Sequence, residues 1–524
     1  MSQRLLQLMQ SLKKPQGLAA SEAGAEVIEV SGAASTAATL YEKVRTVVDY
    51  QEEHLLRRNA ILRILKRYLG SDVPLEDMSE NLLQELVWAK YLPNQQVPTS
   101  LVESLNPIIK KYEPLLHATD SFGGRKDWAF QWVMDVMSTE IEYAIAPPLG
   151  DEALVSYMYE EMRQRVMWDP ELPIKDADKD LLLYIAIHKV LLKSNLATLR
   201  FRVFTLYYPE WPGGVSDEYA DKIGLHLETV IKIVEKQLTH PVMIKLSILL
   251  RRKTSVFHVI KDVIQHDPDE FLILLQDPEK LDAAVARILT KRTKDFRTRL
   301  RRTVTRSVMF LFITKMLLAI ILEVPYDLWI LHETNWVPLG INILFHPLFL
   351  AFIALTVSIK EHKNKRDHRA AVRALVVGAD QEFLNTHVKR ESFSAWSKIF
   401  DAVYAITFLF TYGLIGTFLY NIGFNWLSIT LFLFFLSLVT FFGIRIRTST
   451  KDIVLSGARS SLPGTLFDIF MLPLVRAGRW LSVKVAKINV FIYFFDFIIE
   501  APLKVAIRFI ESWLAFLHEK KEEI

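Results

Sequence analysis

Residues 426–444 read WLSITLFLFFLSLVTFFGI, and Arg445 follows. Nothing in that run carries a charge. A helix rises 1.5 Å per residue, so about 20 such residues cross a hydrocarbon core of about 30 Å. A helix in a soluble core is usually shorter and keeps a polar face. The run is therefore read as a membrane span, and it sets the class of the chain.

Outward from it, three further runs have the same character, at about Ser307–Val324, Val337–Ile359 and Ile399–Tyr420. The charges between them alternate. Lys291, Arg292, Lys294, Arg297, Arg299, Arg301, Arg302 and Arg306 precede the first run, and the loop from Glu323 to Trp336 has neither Lys nor Arg. The loop 360–398 is again basic, the turn Asn421–Asn425 is uncharged, and Arg445, Arg447 and Lys451 follow the fourth run. Basic segments face the cytoplasm in multi-pass proteins. Both termini are thus expected on the cytoplasmic side. The absence of an apolar targeting segment near Met1 fits a prokaryotic inner membrane.

Composition agrees with a chain divided between water and lipid. Hydrophobic residues make up 51% of it and charged residues 23%, which is reconciled only if the two are segregated. The net charge of +4 gives no basis for nucleic-acid binding. With no cysteine, disulfides, thiolate catalysis and Cys-held metals are excluded.

The expected architecture is all-α: a multi-helical N-terminal soluble domain, a C-terminal transmembrane block of about four spans, and amphipathic interfacial helices. Residues 1–39 read as a disordered leader, rich in Ala, Gly, Ser and Glu from Pro15 on. Residues 40–305 read as a cytoplasmic helical domain. Its helices are placed at about 40–69, 77–91, 100–117, 127–146, 151–167, 176–207, 217–238, 241–265 and 279–305. Along the first, Val44, Val48, Leu55, Leu62, Leu65 and Leu69 form the apolar stripe, with Glu52, Glu53, Arg57, Arg58 and Lys66 placed elsewhere. Three Asp-Pro-acid starts, at Asp169, Asp267 and Asp277, have helix-capping chemistry. No strand alternation is evident.

Residues 306–445 form the transmembrane region, with the basic loop 360–398, and 446–524 the interfacial helices. In that last stretch Asn489, Asp496, Glu500, Lys504, Arg508 and Glu511 share one narrow stripe. A fifth span near 488–499 is the alternative there.

The sharpest anomaly is Lys315, near the middle of the first span. Glu323 follows on the same helix, and Asn342 and His346 stand four apart on the second span. Charges at that depth usually face protein or water and mark ion or ligand paths. A structural ion pair or a snorkelling lysine is the simpler account, favoured because Lys315 alone lies truly mid-span. Tyr404, Thr407 and Thr411 are further candidates on the third span. Arg299, Arg301, Arg302, Arg306, Arg476, Arg479, Lys484 and Lys487 are candidate contacts for anionic lipid.

No other constellation rises to a catalytic or cofactor site. There is no phosphate loop and no nucleophile elbow. His362 and His368, with Glu361 and Asp367, read as a solvated face, and His332-Glu333 lacks a zinc site's second histidine. His258 and His266 read as surface residues, and Gly123-Gly124-Arg125-Lys126 as a flexible turn. The expected function is non-enzymatic, without metal or cofactor: a membrane-anchored interaction or scaffold protein presenting its helical domain to a protein partner. The alternative is an oligomeric channel or transporter built on Lys315, Glu323, Asn342 and His346. The lipid bilayer is the expected environment, homo-oligomers are compatible with either reading, and nucleic acid is not an expected partner.

Overall fold

The computed structural model describes residues 3–13, 26–28, 53–71, 74–332, 335–357, 359–377, 382–389, 396–455 and 462–487. It is an all-α multi-pass membrane protein with four helices long and apolar enough to cross a bilayer. The chain divides into two compact units, Met1–Gln164 with Ile174–Leu250, and Arg165–Pro173 with Arg251–Ile488.

The first unit is built from α1 (Gln3–Lys13), α2 (Glu53–Leu69), α3 (Leu75–Trp88), α4 (Ser100–Lys110), α5 (Glu113–Ala118), α6 (Lys126–Ile145), α7 (Leu149–Arg163), α8 (Asp176–Leu191), α9 (Leu196–Tyr207), α10 (Asp217–Leu225), α11 (Leu227–Leu238) and α12 (Pro241–Leu250). Helix α6 is its axis. It packs against α2, α4 and α9 and is buried on nearly every side, from Trp132 and Met134 to Ile141 and Ile145. A helix enclosed in this way must satisfy its polar residues internally. Glu140 therefore receives Lys111 Nζ at 2.5 Å, Tyr112 Oη at 2.6 Å and Trp211 Nε1 at 3.0 Å. Burial and the Glu140 charge raise the pKa of the Tyr112 hydroxyl, which stays protonated and donates. Asp135 meets Arg200 at 2.7 Å and Arg58 at 3.4 Å, and Glu142 meets Arg57 at 2.7 Å.

Several expectations are corrected here. Residues 3–13, grouped with the leader, are helical because Leu5, Leu8, Met9 and Leu12 make one stripe that α1 buries, and α1 packs on α7. On α2 the buried face is Ala60, Ile61, Ile64, Leu65 and Tyr68, while Leu62 and Leu69 are only half-buried. Arg57 and Arg58 turn inward because α6 offers carboxylates. The helices expected at 100–117, 176–207, 217–238 and 241–265 are each interrupted once. The remainder of the leader, apart from residues 26–28, lies outside the described residues. So do the first half of the expected helix 40–69 and the stripe Asn489–Glu511.

The second unit comprises β1 (Val166–Trp168), α13 (Thr254–His266), α14 (Pro268–Leu274), α15 (Pro278–Leu318), α16 (Trp336–Leu355), α17 (Glu361–Val377), β2 (Thr386–Val388), α18 (Trp396–Asn421), α19 (Trp426–Ser449) and α20 (Leu462–Lys487). The two strands pair in parallel, Val166 opposite Thr386 and Trp168 opposite Val388, and are too short to show alternation in sequence. Asp267 and Asp277 accept from the free N–H groups of α14 and α15 as expected. Asp169 caps only a turn, through Glu171 N at 3.1 Å.

The first span is not a separate helix. It continues α15 without a break, and the whole helix runs Pro278–Leu331, 54 residues. No Gly or Pro interrupts the chain at the junction around Arg306. Beyond Leu318 the winding loosens into π turns at Ala319–Glu323 and Asp327–Leu331. Pro325 lies between them, lacking an N–H and crowding the turn before it, which is a usual cause of such widening. The helix stops at His332 in the left-handed conformation, φ 55°. Helix α19 starts at the Asn425 cap, whose Oδ1 accepts from Ser428 N at 2.8 Å. Helix α20 packs on α18 and α19, and at Gly478 a Cβ would collide with the Ser437 carbonyl and Phe441.

Candidate functional site

In an ordinary α-helix, eight residues at 100° each would turn Glu323 about 80° away from Lys315. The π turn Ala319–Glu323 winds more loosely and takes up much of that excess. Lys315, Glu323 and Asp327 consequently all face the interior of the bundle, at 1%, 1% and 5% exposure. Their partners come from α16 and α19, which pack together; Ile429, Phe432 and Leu436 of α19 form an apolar cluster with Phe424 of the turn before it.

The four residues singled out in the sequence are brought together. Lys315 Nζ donates to Asn342 Oδ1 at 2.7 Å, and Asn342 Nδ2 donates to Glu323 Oε1 at 2.6 Å. Lysine and glutamate are thus joined through the amide. The other face of the ammonium lies 4.3 Å from the centre of the Phe435 ring, a cation–π contact. His346, one turn along α16 from Asn342, has Nδ1 3.1 Å from Asn342 O and Nε2 3.0 Å from Phe432 O. Its ring packs edge-on against Phe432 and Phe435.

Three further members were not anticipated. Ser428 Oγ donates to Glu323 Oε2 at 3.1 Å, and Asn425 Nδ2 donates to Asp327 Oδ1 at 2.7 Å. Both belong to the first turn of α19 or its cap, where the helix dipole favours a carboxylate. The sequence reading puts Asp327 in the loop from Glu323 to Trp336, and the structure puts it on the helix. Its four-residue spacing from Glu323 was the available signal.

Other candidates fall apart from this network. Thr411 is buried and reaches Phe470 O at 3.5 Å, and Thr407 bonds back to Val403 O at 2.8 Å. Tyr404 lies under Arg476, 4.5 Å from ring centre to guanidinium. Arg299, Arg301, Arg302 and Arg306 are exposed, with no ion-pair or hydrogen-bond partner among the described residues. Arg476 and Arg479 are exposed as well, and the side chains of Lys484 and Lys487 lie outside the described residues. Arg125 and Lys126 of the glycine turn are occupied by Glu228 and Asp120.

His368 corrects the reading of its loop. It is wholly buried, whereas His362 is exposed. His368 Nδ1 lies 2.9 Å from Asn364 O and Nε2 lies 3.0 Å from Ser255 Oγ. Burial pulls its pKa down to about 4, so the ring is neutral at physiological pH. Nearby, Lys253 donates to Leu384 O at 2.6 Å and Asn385 O at 2.9 Å, and burial lowers its ammonium to about 8. These contacts tie α13 to α17 and to the β2 segment. Sequence gave no sign of them, because the partners are backbone carbonyls and a serine more than 100 residues away. His266 is exposed and His258 half-buried, as surface positions would be, and His332 is exposed at the end of the long helix.

No group of three or more His, Asp or Glu among the described residues is placed to hold a metal ion. Compared with protein-family models, with curated proteins and with solved structures, the chain matches none of them.

Proposed function

We propose that this multi-pass membrane protein moves a proton or another small cation across the bilayer, with the network around Lys315 as its centre. The observation that carries the reading is Asn342, interposed between Lys315 and Glu323. An anchor needs only apolar surface, and burying an ammonium with two carboxylates in it is costly. A purely structural pair would gain most from direct contact. An amide between the charges keeps each polar group satisfied while leaving the lysine and the acid free to change protonation separately. In this reading the basic flanks support an outer position for the Leu331–His332 end of the long helix, and with it Asp327, and a cytoplasmic position for both termini. Arg299, Arg301, Arg302 and Arg306 then meet anionic headgroups of the inner leaflet.

The test is flux in proteoliposomes carrying an internal pH dye, for the full chain and for Lys315→Met and Glu323→Gln. The wild type is expected to dissipate an imposed gradient and both variants to lose that activity at unchanged protein content. Equal flux with and without the lysine retires the proposal.

A second reading, the membrane-anchored interaction protein, draws on Ile244 and Ile248. They stand exposed one turn apart on α12 at 65% and 69%. It predicts no flux in the wild type and capture of a protein partner that Ile244→Asp abolishes.

A further inference from the structure

The buried charges described so far do not balance. Lys315 supplies one positive charge, while Glu323 and Asp327 supply two negative ones, none more than 5% exposed. A surplus charge in a span is expensive. The α19 N-terminus, with Asn425 and Ser428, offsets part of it through hydrogen bonds but adds no full charge.

His346 carries an independent sign of where the missing charge lies. It is 0% exposed, and both ring nitrogens face backbone carbonyl oxygens, at 3.1 and 3.0 Å. A carbonyl oxygen only accepts. A neutral imidazole has one N–H, so one of these contacts would set lone pair against lone pair. With both nitrogens protonated, each contact becomes a charge-assisted hydrogen bond.

We infer that His346 is a proton-binding site that rests as an imidazolium, so that Lys315, His346, Glu323 and Asp327 together form an electroneutral set. Two effects oppose it: burial, and the like charge of Lys315, which borders the same Phe435 ring. Two favour it: the paired carbonyls, and the uncompensated carboxylate on the long helix. The remaining polar groups facing the set, Asn342 on α16 and Asn425 and Ser428 on α19, are neutral. The inference deepens the proposed function, since it makes the cation a proton and His346 its resting place.

The experiment is nitrogen NMR of the full chain, labelled with 15N-histidine, in phosphatidylcholine nanodiscs at neutral pH. The His346 signals are identified by their loss in His346→Gln. Both nitrogens are expected in the protonated range. In the double variant Glu323→Gln with Asp327→Asn, one of them is expected to move to the unprotonated range, since the carboxylates no longer hold the charge. If His346→Gln does not fold, the double variant alone identifies the signal by that shift. One protonated and one bare nitrogen in the wild type overturns the inference. So does an infrared carboxylic-acid band at neutral pH that vanishes in Asp327→Asn, which would place the proton on the acid. Imidazolium signals in a protein that shows no flux would instead end the translocation reading and leave the proton assignment standing.

Discussion

Buried charge is handled in two ways in this chain. In the first unit Lys111 touches Glu140 at 2.5 Å and Arg200 touches Asp135 at 2.7 Å, charge against opposite charge. In the spans Lys315 and Glu323 never touch, and Asn342 stands between them. The first arrangement makes each charge depend on its partner, because either alone would be a buried unpaired ion. The second leaves each group with hydrogen bonds that outlast a change in the other's charge. Direct pairing suits a fold; mediated pairing suits a site.

Removing one cation from each region tests the contrast. Lys111→Met leaves Glu140 enclosed in α6 without its counter-charge and is expected to cost about 3–5 kcal/mol, read by urea-dependent proteolysis of the first unit. A comparable loss for Lys315→Met would erase the distinction. The span variant is instead expected to cost no more than about 1–3 kcal/mol, because Glu323 keeps its hydrogen bonds to Asn342 and Ser428 when the lysine is removed.

His368 offers an intermediate case, a buried group held neutral. Its pKa is about 4 in the fold against an ordinary 6.5. The unfolded chain therefore binds the proton first as pH falls. The stability it contributes is whole above pH 6.5 and is lost progressively down to pH 4, about 3 kcal/mol in all. His368→Gln is expected to flatten that part of a pH–melting curve, and an unchanged curve would show that another group is responsible. Asn342→Ala should cost about 1–3 kcal/mol through the unsatisfied Glu323 oxygen, seen as a lower melting temperature in detergent. The smallest effect is expected on the lipid side. Replacing Arg299, Arg302 and Arg306 by Gln should reduce co-purified anionic lipid, at about 1 kcal/mol per arginine, as counted by native mass spectrometry.

The spans and the centre of the site were legible because a lysine, an asparagine or a histidine stands out against an apolar background. Lys315, Glu323, Asn342 and His346 could each be picked from the chain, and their convergence followed from having few other places to go. Asp327 is hidden because it falls past the apolar run, in the stretch 323–336 read as a loop, and here the helix widens and continues. Asn425 and Ser428 were missed because a cap and a first-turn hydroxyl have ordinary local duties. In the first unit the inward turn of Arg57 and Arg58 was hidden for a different reason. Arginines on an amphipathic helix normally face water, and only the distant carboxylates of α6 reverse that. Boundaries such as the split of 176–207 at Lys193 depend on a positive φ that a lysine does not advertise.

The uninterrupted helix Pro278–Leu331 has a mechanical consequence. At 1.5 Å per residue it is a shaft about 80 Å long. Its lower part is bolted by Arg292 to Asp262 and its far end carries Asp327. No Gly or Pro interrupts it between Arg292 and Leu318, so a tilt of the span would also swing the part of the helix around Arg292. Spin labels at Thr290 and Ile320 would move in concert under that coupling, and independent motion would show a joint where the helix looks whole.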